Sequence, residues 1–354
     1  MSYKEEFVST DAVISGKVIT FVVPCYNSEP YMNHCIDSII GAGRDIEIII
    51  VDDGSTDGTG AKADTWAEKY PDIVRVIHQE NTGHGGAIMA GLQAAKGRYF
   101  KVVDSDDWVN RTARDLLLAR LRAFINSGTM ADLVICNYVY EHVHSGTQKV
   151  MRFRGAIPMN QMVTWDQTGT FTVGQNILMH AAVYRTQVLL NARLTLPEHT
   201  NYVNNYFAYQ PLPFVKSLYY LPVNFYRYFI GREDQSVNEQ IMLGRLDQQM
   251  KITKMMVKEY SLPGDIESKH LADYMESFLA LNVTVSSIFA VIRGDAEALK
   301  MRDELWADIR SHSPKLAKRL MRNPLVRSAN VKTRVGRAAA MRTYKLARLL
   351  YRFN

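Results

Sequence analysis

Four short β-rich runs, at residues 18–23, 46–51, 73–77 and 99–103, start 28, 27 and 26 residues apart. That interval is about one strand–helix–strand unit. Each run is apolar almost throughout, the pattern of a strand covered on both faces rather than one. Between the first two, Met32, Cys35, Ile36, Ile39 and Ile40 follow the spacing of an amphipathic helix, with Gly41 and Gly43 as stop signals. Between the last two, an Ala- and Leu-rich helix is expected over 86–96, capped by Gly97. A chain built this way is expected to form an α/β fold, a doubly wound and mainly parallel sheet.

The remainder is read more coarsely. A helix is expected over 112–126, then a hairpin of 133–142 and 149–154 joined by His144-Ser145-Gly146-Thr147. Residues 156–174 read as an irregular loop region near the site, and Pro211, Pro213 and Pro222 punctuate an aromatic passage. Helical patterns follow over 239–260, 266–293 and 296–311, which divides the chain into 1–230 and a helical region 231–354. With 47% apolar residues the 354-residue chain can bury a large core, so disorder is excluded. The longest mainly apolar stretch, 278–292, is broken by Asn282, Thr284, Ser286 and Ser287 and falls short of a membrane span. The opening MSYKEEFVSTD has no signal-peptide pattern. Cys25, Cys35 and Cys136 are odd in number and in no ligand spacing, the usage of a reducing compartment.

Ligands of open α/β sheets bind beyond the carboxyl ends of the strands. Every one of the four runs here leads into a polar or Gly-rich cluster: Pro24-Cys25-Tyr26-Asn27-Ser28, 52–58 (DDGSTDG), 81–86 (NTGHGG) and Asp104-Ser105-Asp106-Asp107. All are also ordinary turn formers. The last crowds carboxylates at a strand end, which favours Mg²⁺ or Mn²⁺ shared with substrate phosphates, against the simpler reading that Asp106 or Asp107 caps the next helix. Asp52 and Asp53 suit a nucleobase N–H or ribose hydroxyls. The backbone N–H groups of 81–86 suit phosphates. The pattern is neither a G-x-G-x-x-G turn nor a P-loop.

The stretches PCYNSEPYMNHCIDSI, IIIVDDGSTDGT, NTGHGGAIMAGLQAAKGRYF and VVDSDDW resemble the successive motifs of family-2 glycosyltransferases with the GT-A fold, closely over 17–110 and more loosely over 111–236. The resemblance implies inverting transfer of one sugar from a nucleotide-diphospho-sugar, commonly a UDP-sugar, assisted by Mn²⁺ or Mg²⁺. It implies that Pro24, Tyr26, Asp52, Asp53 and Asn81 line the nucleoside pocket, that Gly83, His84 and Ser105 belong to the donor site, and that Asp104 and Asp106 flank the diphosphate, Asp106 as a catalytic residue and the favoured metal ligand. Asp104 and Asp106 would hold the metal.

Inversion in one step needs a base for the acceptor hydroxyl. Where the family places an Asp, this chain has Asn204, an amide that cannot serve; Glu198 or His199 are the substitutes. This departure keeps a second reading open, a catalytically degenerate nucleotide-sugar-binding or scaffold partner of a glycan assembly complex. Arg232 in 231–237 (GREDQSV) resembles a diphosphate-binding loop residue, its rival role being a surface ion pair. His180 reads as a satisfied core histidine rather than an acceptor contact. Tyr219, Tyr220, Phe225, Tyr226, Tyr228 and Phe229 read as core rather than as a sugar platform.

The charge is uneven. Of 42 basic residues 12 lie in 314–354, which has no acidic one; the other 313 residues hold 30 against all 36 acidic groups. Near the end, Arg342, Lys345, Arg348 and Arg352 share one helical face and Leu346, Leu349, Leu350 and Phe353 another. That is the pattern of a helix lying on an anionic membrane surface. Nucleic acid is the disfavoured partner, and a helix packed on the core the plainer option. The expected acceptor is a cell-surface polysaccharide or lipid-linked glycan, met at the cytoplasmic face of the membrane. A nucleotidyltransferase is disfavoured because no Gly-rich, Arg-containing loop follows the first run.

Overall fold

The computed structural model describes residues 16–142, 145–172, 174–231, 239–331, 333 and 336. The first half is a regular alternation: β1 Lys17–Cys25, α1 Met32–Ile39, β2 Ile46–Asp53, α2 Thr59–Lys69, β3 Val74–Gln79, α3 Gly83–Ala94 and β4 Gly97–Val102. Then come β5 Trp108–Val109, α4 Arg111–Ser127, β6 Leu133–His142, β7 Thr147–Met151, β8 Met162–Val163, β9 Ala182–Arg185, α5 Thr186–Asn191, α6 Val203–Tyr209 and β10 Leu218–Ile230. The chain closes with helices α7 Glu239–Gly244, α8 Leu246–Glu259, α9 Lys269–Arg293, α10 Ala296–His312, α11 Pro314–Leu320 and α12 Pro324–Ala329.

The strands form one sheet in the order β3-β2-β1-β4-β9-β6-β10-β5, with β7 on β6 and β8 on β10. β1, β2, β3 and β4 pair in parallel, as do β6 and β10. The sheet is mixed, because the four-residue β9 runs antiparallel between β4 and β6. The order reverses at β1, which sits between β2 and β4, and the loops after β1, β2, β3 and β4 open on that switch point.

Several local expectations shift for steric reasons. Gly97 does not cap α3: Ala95 does, in an extended conformation, and Gly97 opens β4, where a Cβ would fall on the backbone of Ile19 and Thr20. Neither Asp106 nor Asp107 caps α4; Asn110 does, accepting from the Ala113 N–H at 2.9 Å. The hairpin's second arm is Thr147–Met151, and the expected loop 156–174 carries β8 and packs Trp165 on Tyr274 of α9. The pattern over 239–260 splits into α7 and α8. Helix α9 is apolar enough over 18 residues, at mean hydropathy 1.7, to match a membrane span by composition, but 67% of that window is buried in the protein, against α8, α10 and α12. The start of the basic region is folded: Leu316, Leu320 and Val326 of α11 and α12 are buried, and Arg319 pairs with Glu276. Residues 342–353 and Arg232, which carry the membrane and diphosphate expectations, lie outside the described residues.

Candidate active site

The four clusters predicted at strand ends do meet. The Ser28 and Ser105 hydroxyls are 2.7 Å apart, joining the loops after β1 and β4. Asp53, 2% exposed, receives Gln79 Nε2 and the Thr82 N–H on Oδ1 (2.7 and 2.9 Å) and the Gly83 N–H on Oδ2 (2.8 Å). Two of the N–H groups of the Gly-rich stretch expected to face phosphates are thus taken by a carboxylate. Asp52 is similarly occupied, by the Ser55 N–H at 3.1 Å and by His78 Nδ1 at 3.0 Å. Asn81 donates to the Asp53 carbonyl at 3.0 Å. At the mouth, the Tyr26 ring is 54% exposed beside Pro24 and Asn27, a free aromatic face next to the loop after β2.

The glycines serve a crossing. Gly83 has φ +78°, and a Cβ there would stand 3.0 Å from the His199 backbone. A Cβ on Gly85 would stand 2.6 Å from the Pro197 carbonyl. The His199 N–H donates to the Thr82 carbonyl at 2.8 Å. The segment carrying Glu198, His199 and Asn204 is thereby laid across the start of α3, directly beside His84. Glu198 is exposed; the Asn204 side-chain oxygen accepts from the Asn205 N–H at 3.0 Å.

His84 Nε2 lies 2.8 Å from Asp104 Oδ1, and His180 Nε2 lies 3.9 Å from Asp104 Oδ2. Burial opposes charge on His84, but the Asp104 carboxylate outweighs it and raises the His84 pKa; Asp104 is lowered in turn, against its own burial. His180 behaves oppositely. Burial takes it down to about 4, so it is a neutral imidazole at neutral pH. It is not a satisfied core histidine, since its Nδ1 is buried without a partner. It stacks on Tyr228 at 4.6 Å and meets Tyr226 edge-on at 4.8 Å.

Tyr226 is buried, as expected of a core residue, but its hydroxyl reaches the site. It donates to Asp107 Oδ2 at 2.6 Å and accepts the Asp104 N–H at 3.2 Å. Asp107 also takes the Phe229 N–H at 2.8 Å, and burial beside Asp106 and Asp104 raises its pKa well above the carboxylate range. Beneath these groups lies Lys101, which sequence reasoning missed. Its ammonium donates to the carbonyls of Met179, His180 and Ala182 at 2.6, 2.7 and 3.2 Å and sits 4.7 Å from the Tyr226 ring centre. Burial brings its pKa down to about 7. A lysine inside the apolar run 99–103 was the one signal that could have found it.

Asp104, Asp107 and His180 bring one ligand atom each within 4.8 Å of one another, a grouping different from the expected pair Asp104 and Asp106. Asp107 has both oxygens engaged and favours its proton, which suits an anchor better than a ligand. Asp104 is partly exposed and ionised, Asp106 is partly exposed one residue past Ser105, and His180 is neutral with an unmatched ring nitrogen. Oxygen donors with one neutral imidazole fit a divalent cation.

The helical region braces the crossing segment and the His180 turn. Gln248 of α8 accepts the Asn201 N–H and side-chain amide at 2.8 and 2.6 Å, Arg245 donates to Asn201 Oδ1 at 3.0 Å, and Lys251 donates to Thr200 Oγ1 at 2.9 Å. Tyr274 of α9 accepts the Ile177 N–H at 2.8 Å, three residues before His180.

Comparison with known proteins places this arrangement. The family described as Glycosyl transferase family 2 matches residues 20–186. The Putative glycosyltransferase EpsH of Bacillus subtilis is 38% identical over 129 residues, 36% of this chain and 36% of that protein, so the match spans about a third of the relative. The crystal structure of S. aureus TarS 1-349 superposes with TM-score 0.62 at 19% identity, covering 93% of this chain and 92% of that one; TarS has also been solved with UDP-GlcNAc. The mannosyltransferase PcManGT of Pyrobaculum calidifontis, solved with GDP-Man and Mn²⁺, follows at TM-score 0.50 and 18% identity, covering 89% and 86%.

Proposed function

We propose that the chain, whose residues 20–186 match the family-2 glycosyltransferases and whose fold is that of the GT-A enzymes, moves a single sugar, with inversion, from a UDP-sugar to a surface polysaccharide or lipid-linked glycan. One observation carries the donor-site reading: the Asp104–His84–His180 cluster opens at the switch point of the sheet, between the Tyr26 ring and the crossing segment 197–204. UDP and UDP-GlcNAc complexes of TarS favour uridine over other bases. Tyr26 stacks on the base, and Pro24 and Asn81 bound the nucleoside. Asp104, Asp106 and His180 hold the cation. The mixed oxygen and imidazole set, with the PcManGT complex, favours Mn²⁺ over Mg²⁺. The cation, when bound, neutralises the diphosphate as it leaves. His84 keeps Asp104 ionised, Ser105 fixes the loop on Ser28, and Arg232 is assigned to the diphosphate by its guanidinium chemistry. Glu198 takes the acceptor proton, being the one carboxylate of 197–206. The basic residues of 332–352 hold the protein at the cytoplasmic face of the membrane.

The test is thermal unfolding with UDP or GDP, each with Mn²⁺ or with EDTA. Ligand at 100 times its dissociation constant adds about 2.7 kcal/mol, a shift of several degrees. A UDP shift that requires Mn²⁺ is expected; no shift with either nucleotide sinks the donor-site reading. Asn204 favours a second reading, binding without transfer, because it stands where the base is expected and cannot take a proton. Under it the UDP shift persists while no sugar is transferred to any glycan acceptor.

A further inference from the structure

Away from the sheet, α10, α11 and the end of α12 enclose a cavity of about 520 Å³. One wall is apolar, made by Pro314, Ala317 and Met321; the rim carries Arg310 and Lys318, both exposed. Three residues of its lining hold buried polar atoms with no hydrogen-bond partner among the described residues. Arg302, 3% exposed, places Nε and Nη2 on Asp303 at 3.3 and 3.0 Å, but its Nη1 has no partner. Trp306, 6% exposed, has an unpartnered Nε1–H, and Asn330 has an unpartnered Oδ1 while its amide nitrogen donates to the Val326 carbonyl. Eleven such atoms occur among the described residues, so three around a single cavity is a concentration. Native structures leave few buried polar groups unsatisfied, and those left ask for a missing partner.

The chemistry of the three is specific. Arg302 Nη1 and Trp306 Nε1 only donate, Asn330 Oδ1 only accepts, and three cations face one carboxylate, Asp303. We propose that this cavity binds a hydroxyl-bearing phosphate ester. Its phosphate oxygens accept from Arg302 and Trp306, its hydroxyl donates to Asn330, and its carbon chain lies on the Met321 wall. A glycerophospholipid headgroup and a soluble glycerol phosphate share that chemistry. The site is independent of the nucleotide site: α8 packs on both α6 and α10 and lies between them in the contact order.

Two arms separate the sources, both with the full chain. Calorimetric titration with glycerol 3-phosphate reads the soluble ligand; co-sedimentation with phosphatidylglycerol vesicles, against phosphatidylcholine, reads the headgroup. Two variants accompany each arm. Trp306→Phe removes one donor without changing charge. Arg310→Glu with Lys318→Glu changes exposed positions only, so the fold stands. We expect binding in at least one arm: glycerol 3-phosphate binding weakened about tenfold by Trp306→Phe, the scale of one lost charge-assisted hydrogen bond, and abolished by the double reversal, and vesicle binding lowered by each variant only down to the share that the basic residues of 332–352 supply. Binding in both arms makes the phosphate ester itself the ligand, and binding to vesicles alone makes it the lipid headgroup. Absence of glycerol 3-phosphate binding together with vesicle binding indifferent to Trp306→Phe overturns the proposal, since bulk charge would then be the whole attraction.

Discussion

The two halves of the candidate site are built by different means. On the donor side, residues 17–106, each loop is held by the strand or loop that neighbours it in the sheet: Asp53 binds Thr82 and Gly83, Asp52 binds His78, and Ser28 meets Ser105. On the other side the holding contacts reach much further along the chain. The His180 turn rests on Lys101 and Tyr274, Asp107 on Tyr226 and Phe229, and the 200–206 stretch on α8. A self-wired donor half can stay fixed while the other half is rebuilt around it.

The largest effect should come from the chemistry where the halves meet. Replacing Glu198 by Gln is expected to lower sugar transfer about a hundredfold, the low end for loss of a general base, with UDP binding unchanged. Asn204→Asp on that background should restore part of the rate. Transfer that ignores Glu198→Gln would move the base elsewhere and remove the reason for the crossing over Gly83 and Gly85.

Stability experiments test the wiring itself. Asp53→Ala leaves the Thr82 and Gly83 N–H groups and Gln79 without their acceptor, and about 3 kcal/mol of lost stability is expected in urea unfolding. Lys101→Met keeps most of the volume but strands three carbonyls, for about 2 kcal/mol. The two should differ in their effect on nucleotide binding. Asp53→Ala should weaken UDP binding even in EDTA. Lys101→Met should weaken only the Mn²⁺-dependent part, because it loosens the His180 turn. Equal effects on both would erase the distinction between the halves.

That distinction also decides what could be read from the sequence. The donor half was legible because each strand and its polar loop recur within a single unit, so composition and spacing expose them. Even there the partners were not legible: Asp53, expected at the ligand, takes two N–H groups of the Gly-rich stretch. The acceptor half was not legible. β9 is four residues with no periodicity to see, placed by its pairing with β4 and β6. Tyr226 and Asp107 stand 119 positions apart, so no local pattern joins a strand tyrosine to a loop carboxylate. Lys101 looked like an interruption in an apolar run, and its meaning lies in carbonyls 78 to 81 residues away.

The smallest effect is the sharpest probe of the donor half. His78 places Nδ1 on Asp52 and Nε2 on Asp64, both at 3.0 Å, so it can serve both carboxylates only as the imidazolium. Those bonds, Asp52 first and Asp64 second, raise its pKa above the usual 6.5 despite some burial. A group raised on folding stabilises fully below its unfolded pKa and loses that contribution as pH climbs through the folded value. The wild type should therefore outlast His78→Gln in thermal unfolding at pH 5.5, and the gap should close by pH 8.5; with His78 half-exposed, the gap will be small. The same imidazole reports on the ligand. If Asp52 turns to a ribose when UDP binds, it releases His78, and the ring's pKa, followed by NMR, must fall. A pKa unmoved by UDP would mean that Asp52 stays a structural strut, and that the nucleoside is held by Tyr26, Pro24 and Asn81 without it.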